Sequence, residues 1–259
     1  MMNILEQMDL IDKLAKLAEK ARDFHKNKRN FDKGGILSQE GTLTLNRIIS
    51  EAHKYELLKD TPIILVGFIE RYKADFILKI LQEEIEDKIN SIYNEIAKSF
   101  LKSPVQIAKT IPPDKRGRIL EIIGRDWLIN VVNEQWGEAK YKQIKGTDID
   151  AIAIIKENES YKIYIAEIKS KLDKRKAIKE FINLNNKCQK LRSIYPNSQI
   201  CEKIMIIFSK VDEDIKQTAK TEFGIVIWDI EVFKEISIKQ GKKGGKFYLD
   251  AVMALNVKA

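Results

Sequence analysis

Two acids and a lysine lie on a pair of strand-like segments that are close together in the sequence. Asp150 begins the first segment, and Glu167 and Lys169 end the second. The polar residues 157–160 separate the segments, which is the pattern of a β-hairpin. If the turn is centred in this spacer, Asp150 falls opposite Glu167, with their Cβ atoms about 4.5–5.5 Å apart. We therefore predict that two carboxylates and an ammonium group meet at one end of a hairpin.

These charges lie at the end of an otherwise apolar strand face. Side chains alternate between the two faces of a strand, and the face predicted to carry the acids consists of Asp148, Asp150, Ile152, Ile154, Ile163, Ile165, Glu167 and Lys169. The opposite face is apolar too, which is typical of central strands covered by helices on both sides. Carboxylates side by side there would repel and would be costly to bury. A divalent cation such as Mg²⁺ or Mn²⁺, which prefers oxygen ligands, would remove this conflict.

Two other assignments of the same charges stay open. Asp148 could be the principal metal acid in place of Asp150, because it belongs to the same predicted face. Alternatively, Asp150 and Lys169 could form an ordinary salt bridge at the edge of the sheet. The salt bridge alone would not explain why all the acids of the hairpin strands lie on one face.

The elements around the hairpin predict a mixed α/β domain. We expect helices at residues 117–136, 175–194 and 212–223, and strands at 139–144, 150–156, 161–169, 203–208, 225–228 and 247–255. The consecutive early strands favour hairpins, and the later alternation of helices and strands favours parallel crossovers. This order places the acidic end of the hairpin beside the start of the helix at 175–194.

The first 110 residues have a helical pattern. We expect helices at about 4–26, 43–58 and 63–101. The last carries one apolar stripe at steps of three and four residues, made up of Ile77, Leu81, Ile85, Ile89, Ile92, Ile96 and Phe100. So long a helix predicts a bundle or a short coiled coil, and a homodimer through this region. The prolines at 104, 112 and 113 predict a domain boundary between 1–110 and 111–259.

Charge is distributed unevenly along the chain. Residues 1–103 carry 17 Lys/Arg and 17 Asp/Glu, so the net charge of +8 belongs to the remaining residues. A basic C-terminal half is typical of proteins that bind a polyanion, although a solvated basic surface would give the same balance. Nine Lys/Arg follow in residues 169–192, and we predict phosphate contacts there from Ser170, Lys171, Lys174, Arg175, Lys176 and Lys179. Lys242, Lys243 and Lys246 could form a second basic contact.

Several classes of function are excluded by the composition. Two cysteines and two histidines are too few for a zinc finger, and both histidines lie in the helical first part, away from any Ser-His triad. No Walker-type phosphate loop is present. No apolar run is long enough to span a bilayer. The acidic, amphipathic first segment is unlike a secretory signal, so we expect a cytoplasmic protein without a membrane partner.

The combination of Asp150, a hairpin and Glu167-Ile168-Lys169 resembles the PD-(D/E)XK nuclease superfamily, which includes restriction endonucleases and archaeal Holliday junction resolvases. The resemblance covers about residues 117–230 and implies a restriction-endonuclease-like αβββαβ core. Ile149 stands where the family usually has proline. By this resemblance, Asp150, Glu167 and the main-chain carbonyl of Ile168 would bind the metal, and Lys169 would orient or activate the attacking water.

Members of this superfamily often carry another glutamate on the first helix. By this resemblance Glu121 is the expected residue, because resolvase-like members place the glutamate one turn after a helix-starting glycine, which is Gly117 in this sequence. Glu134, at the other end of that segment, is the rival.

The resemblance implies a Mg²⁺- or Mn²⁺-dependent deoxyribonuclease of restriction, repair or recombination type. Two other functions stay open: a nucleic-acid-binding module that does not cleave, and a helical interaction protein with a vestigial nuclease fold. The sequence leaves the target undecided between a restriction site, a branched junction, a free end and RNA.

Overall fold

The structure, a computed structural model, describes residues 3–32, 34–65, 69–137, 139–144 and 147–256. The chain forms two compact units, Met1–Ile92 and Tyr93–Ala259. Among the helices of these described ranges, none combines the length and apolar character needed to cross a membrane.

The division between the units comes earlier than the predicted boundary near residue 110. Tyr93 and Asn94 belong to the second unit, where the Arg125 guanidinium lies 4.3 Å from the centre of the Tyr93 ring. Arg125 also donates a 3.3 Å hydrogen bond to Asn94 Oδ1. The helix Arg71–Lys102 does end at the proline break. However, these contacts assign its last turns, from Tyr93 onward, to the C-terminal unit.

The first unit is helical, as predicted, with different bounds. It contains α1 (Ile4–Asp23), α2 (Gln39–His53) and the first part of α3 (Arg71–Lys102). Residues 61–65 have no regular secondary structure where the sequence predicts a helix, and the Asn46 side chain exchanges two hydrogen bonds with the backbone of Ile64, at 2.8 and 2.9 Å. The Asn46 side chain thus satisfies the N–H and C=O groups of Ile64, which a helix would have satisfied with its own backbone.

The apolar stripe of α3 is buried in the single chain. Leu81, Ile85, Ile89, Ile92, Ile96 and Phe100 are each at most 6% exposed. Ile77, the first residue of the predicted stripe, is half-buried. The other six residues are therefore covered without a second subunit, and the homodimer stays a prediction.

The second unit has a five-stranded mixed sheet flanked by helices, as the sequence predicts at this level. Its further helices are α4 (Pro104–Thr110), α5 (Pro113–Asn130), α6 (Ala177–Ile194), α7 (Glu213–Phe223), α8 (Ile230–Lys239) and α9 (Gly245–Asn256). Its strands are β1 (Lys140–Ile144), β2 (Thr147–Glu157), β3 (Ser160–Lys169), β4 (Ser198–Ile207) and β5 (Val226–Trp228), in that spatial order. The pairs β1/β2 and β2/β3 are antiparallel, whereas β3/β4 and β4/β5 are parallel.

Helices α5 and α6 pack on opposite faces of the sheet. Gly124 of α5 lies against Ile168 of β3. Phe181 and the other apolar residues of α6 pack with Ile163 and Ile165 of the same strand. Because odd and even positions of a strand face opposite ways, the hairpin is covered on both sides.

The predicted strand at 247–255 is wrong, since this segment is helix α9. Its buried residues are Gly245, Tyr248, Ala251, Val252 and Leu255, whose spacing of three and four is helical. Gly244, with φ of 81°, provides the left-handed backbone between the short 3-10 turn at Gly241–Lys243 and α9. Of the predicted second basic contact, Lys243 donates a hydrogen bond to the Val132 carbonyl at 3.4 Å. The Lys242 side chain lies outside what the structure describes.

Candidate active site

The hairpin has the predicted register. Glu157 pairs with Ser160 across the turn, where Asn158 adopts a positive φ of 54°, and Ala151 pairs with Ala166 at the other end of the ladder. The next positions in this register are Asp150 and Glu167. Asp150 Oδ2 accepts a 2.8 Å hydrogen bond from the Ile168 N–H, so the carboxylate of β2 is fixed against the backbone of the Glu-Ile-Lys motif.

The prediction that Asp148 lies on the same strand face as Ile152 is wrong. Lys140 of β1 pairs with Ile152 of β2, and Lys142 pairs with Ile149. A step of two residues on β1 therefore matches a step of three on β2, so β2 contains one extra residue, a β-bulge. Ile149 and Ile152 consequently pack into the same core cluster.

The bulge turns Asp148 toward the opposite face from Ile152. The Asp148 carboxylate is exposed, and its Oδ1 accepts a 3.1 Å hydrogen bond from the Tyr141 hydroxyl. Of the two candidate metal acids, the structure therefore brings Asp150 to Glu167 and directs Asp148 to Tyr141.

Glu167 is held by two lysines. Lys169 Nζ lies 3.3 Å from Glu167 Oε1 and 3.4 Å from Glu180 Oε2 of α6. Lys187 of α6 donates to the other oxygen, Glu167 Oε2, and both side chains of this pair are only 12% exposed. Both carboxylate oxygens of Glu167 thus have an ammonium partner.

Helix α5 brings Glu121 to the same place. Its close approach to the sheet depends on Gly124, where an added Cβ would lie 2.9 Å from both Ile168 Cγ2 and Phe208 Cζ. One turn earlier, Glu121 is close enough to Lys169 and Glu167 for their charges to shift its pKa. Two turns before Gly124, Gly117 lies close to Ser170, whose Oγ would be 3.7 Å from an added Cβ.

The rival glutamate does not share this environment. Glu134 is exposed in a 3-10 turn, Glu134–Trp136, and lines a shallow cavity with Ala153 and Lys156 near the turn end of the hairpin. Since Asp150 lies at the opposite end of β2, the structure brings Glu121, and not Glu134, to the acidic site.

Burial, and then neighbouring charges, perturb two carboxylates of the site, Asp150 and Glu121. Burial, and then the charges of Glu167 and Glu121, raise the pKa of Asp150 well above its ordinary value, although Lys187 and the Ile168 N–H oppose this shift. Burial raises the pKa of Glu121 to about 7 against the opposing charges of Lys169 and Arg118. The site therefore concentrates more negative charge than its lysines neutralise, which is a common property of metal-binding and catalytic centres.

Lys169 keeps its proton in this environment. Burial would lower the pKa of its ammonium group, but the charges of Glu167 and Glu180 outweigh burial and raise it. The side chain is therefore a cation and a hydrogen-bond donor at neutral pH.

The predicted phosphate contacts lie mainly in a connection, not on a helix. Helix α6 begins at Ala177, so Lys171, Lys174, Arg175 and Lys176 belong to the segment between β3 and α6, and all four are exposed. Lys174 pairs with Asp212 at 3.3 Å and with Asp214 at 3.1 Å. Lys179 is exposed on the first turn of α6, and Ser170 is half-buried.

Lys187 and Glu180 are the site residues that sequence reasoning missed. Both lie on α6, seven residues apart, which is two helical turns and one face. A signal was present, because these positions flank the apolar residues Phe181, Leu184 and Cys188 that face the sheet. That spacing alone does not indicate how far along β3 each side chain reaches.

The acidic site is compatible with a divalent cation by its donor chemistry. In the described ranges, no three His, Cys, Asp or Glu side chains already form a group that could hold a metal. The oxygens of Glu167 are engaged by lysines, and one Asp150 oxygen accepts from the Ile168 N–H. However, Asp150, Glu167 and Glu121 are hard oxygen donors, and burial together with the charge of neighbouring carboxylates raises the pKa values of Asp150 and Glu121, a cost that a cation would relieve.

Comparison with known proteins gives no relative for this chain. No family model matches it, and searches of curated proteins and of solved structures give no match either.

Proposed function

We propose that this protein is a metal-dependent nuclease that hydrolyses phosphodiester bonds in DNA, with a restriction-endonuclease-like core in its C-terminal unit. The observation that carries the proposal is the meeting of Glu121, Asp150, Glu167 and Lys169 at one end of two central strands. Three carboxylates, of which Asp150 and Glu121 have raised pKa values, and one protonated lysine are the set that the PD-(D/E)XK resemblance implies. A structural salt bridge would need only one acid and one base.

Asp150, Glu167 and the Ile168 carbonyl would hold Mg²⁺ or Mn²⁺. When bound, the cation would supply Lewis-acid activation of water and compensation for the charge of the phosphate. The protein's own groups divide the remaining work. Lys169, which keeps its proton, donates hydrogen bonds that orient the attacking water or an oxygen of the phosphate. Glu121, with a pKa of about 7, can accept or release a proton near neutral pH.

The exposed basic connection before α6 supports DNA as the substrate. Lys171, Arg175 and Lys176 follow the catalytic motif directly, so they would reach phosphates close to the bond that is cut. Contacts of this kind position a protein on DNA without reading its sequence.

A cleavage assay tests this function. The purified protein is incubated with plasmid, single-stranded and four-way-junction DNA in Mg²⁺, in Ca²⁺ and in EDTA, with Glu167→Ala as the matched inactive variant. We expect Mg²⁺-dependent products with 5′-phosphates from the wild type only. Equal cleavage by wild type and variant would trace the activity to a contaminant and would contradict the proposal.

A nucleic-acid-binding module that does not cleave is the second candidate. One observation favours it, namely that both oxygens of Glu167 are engaged by lysines. Binding to the same DNA panel without any cleavage in Mg²⁺ or Mn²⁺ would support this candidate over the nuclease.

A further inference from the structure

Lys187 has an unusual place in the acidic site. It comes from α6, not from the catalytic hairpin, and its ammonium group donates to Glu167 Oε2. This is the oxygen of Glu167 that Lys169 leaves open, since Lys169 lies 3.3 Å from Oε1. Because both side chains of the pair are 12% exposed, little water is available to replace either partner.

The same pair blocks the metal site that we propose. A divalent cation held by Asp150 and Glu167 would lie on an oxygen of Glu167 beside the ammonium group of Lys187 or Lys169. Because the two cations would repel, one of these lysines has to move away from that oxygen. Lys169 has a second carboxylate partner in Glu180, at 3.4 Å, which helps to hold it in place. Lys187 is therefore the lysine whose displacement frees a ligand oxygen while Lys169 stays beside the site.

We propose that Lys187 is a positioning residue that acts as an internal counter-cation, occupying the acidic site when metal is absent and giving up Glu167 when a divalent cation binds. The proposal rests on the proposed function, because it requires the acidic site to bind metal. A lysine suits this task, since its ammonium group is a compact charge on a flexible four-carbon stem. Without Lys187, the ammonium group of Lys169 would be the remaining cation in contact with Glu167 in the described site.

A second lysine–carboxylate pair, between Lys216 and Asp229, shows how a purely structural contact differs. Lys216 lies 2.9 Å from Asp229, whose side chain is fully buried. Asp229 also accepts hydrogen bonds from the backbone N–H groups of Val211, Glu231 and Val232. There the lysine completes a satisfied carboxylate, whereas Lys187 meets a carboxylate that has Asp150 and Glu121 as like-charged neighbours.

Calorimetric titration of the full chain with Mn²⁺, without DNA, tests the proposal. Lys187→Met removes the competing ammonium and keeps a side chain of similar length, so we expect Mn²⁺ to bind about tenfold more tightly, a change of about 1.4 kcal/mol. Lys187→Arg keeps the charge and should bind Mn²⁺ within about threefold of wild type. Lys190→Met is the matched control, because Lys190 lies one turn along α6 and bonds the Thr147 hydroxyl instead of a carboxylate.

The outcomes separate this inference from the proposed function. Tighter binding by Lys187→Met but not by Lys190→Met supports the counter-cation. Equal gains in both variants would reduce the effect to general charge and would overturn it, as would unchanged affinity in Lys187→Met. If the wild type binds no Mn²⁺, or if Glu167→Gln binds it as well as the wild type, the proposed metal site itself fails, and the inference fails with it.

Thermal unfolding of a second variant, Lys187→Gln, tests the same proposal in case Lys187→Met does not fold. Lys187→Gln should melt below the wild type in EDTA and recover in Mn²⁺, so that Mn²⁺ raises its melting temperature more than it raises that of the wild type. An equal increase in the two proteins would overturn the inference.

Discussion

Two aspartates of the C-terminal unit, the fully buried Asp229 and the half-buried Asp150, have opposite electrostatic environments. At the start of α8, burial alone would raise the pKa of Asp229, but hydrogen bonds from Lys216 and from backbone N–H groups lower it. At the acidic end of the hairpin, burial and the charges of Glu167 and Glu121 raise the pKa of Asp150. Burial is common to both regions, so the neighbours decide the sign. Asp229 stabilises the folded chain as an anion, whereas Asp150 is held at a cost to stability that a function would explain.

The largest effect that we expect is on activity. Asp150→Ala and Glu167→Ala should each reduce Mg²⁺-dependent cleavage by about a thousandfold or more, because each removes a proposed metal ligand. Binding of duplex DNA in Ca²⁺ should persist. The rate of plasmid cleavage under single-turnover conditions measures the effect.

Asp148→Asn is the matched control for these two variants. Asp148 lies two residues before Asp150, but its carboxylate accepts from the Tyr141 hydroxyl. Its cleavage rate should stay close to that of the wild type. If Asp148→Asn is as inactive as Asp150→Ala, our choice between the two acids is wrong.

The next largest effect that we expect is a loss of stability when Asp229 is replaced. Asp229→Asn should lower the free energy of unfolding by about 3 kcal/mol, because it removes the charged partner of Lys216 in a buried ion pair while it keeps an oxygen that can cap α8. Since the pKa of Asp229 is lowered in the folded chain, its contribution is present above about pH 4 and is lost as the pH falls further. Urea unfolding at several pH values measures this.

Asp212→Asn serves as the control for Asp229. Asp212 is also an acid at the start of a helix, α7, but its side chain is 66% exposed in its pair with Lys174. The urea midpoint of Asp212→Asn should equal that of the wild type. Equal losses in the two variants would mean that burial of Asp229 contributes nothing to its importance.

In a third prediction, replacing an acid stabilises the protein instead of destabilising it. Glu121 has a pKa of about 7 in the folded chain, above its ordinary value of 4.5, so its stabilising contribution is complete at low pH and is lost as the pH rises toward 7. Glu121→Gln should therefore be more stable than the metal-free wild type by about 2 kcal/mol at pH 8. The two proteins should have equal stability near pH 4. A difference that is constant with pH would show that the titration of Glu121 is not its cause.

The smallest expected effect is on DNA binding by the exposed cations. Replacing Arg175 and Lys176 by alanine should flatten the plot of log affinity against log salt by about 1.8 for duplex DNA, or roughly 0.9 for each phosphate contact. Lys210 and Lys239, which are exposed and paired with acids, give a matched double-alanine control. Parallel plots for wild type and the Arg175/Lys176 variant, measured in Ca²⁺, would remove this connection from the DNA-binding surface.

Local patterns predicted the hairpin and much of the helical organisation. The alternation along β2 and β3 and the polar turn between them fix the register, and the register places Asp150 opposite Glu167. These signals act between residues that are close in sequence, so they can be read without the fold. Segment 247–255 shows the limit, because its apolar residues fit a short strand until the helical spacing of Tyr248, Ala251, Val252 and Leu255 is considered.

The sequence by itself determined which chemical groups are available and which of them share the hairpin. It did not determine the bulge that directs Asp148 to Tyr141, because a bulge adds one residue without changing the composition of the strand. Nor did it determine that Glu121 and Lys187 would reach Glu167 from helices on opposite faces of the sheet. Those contacts depend on how closely each helix approaches the strands, as Gly124 permits for α5. Packing between residues distant in sequence thus decides how deeply the acids are buried and which charges meet, and burial and those charges together set the pKa values of Asp150 and Glu121.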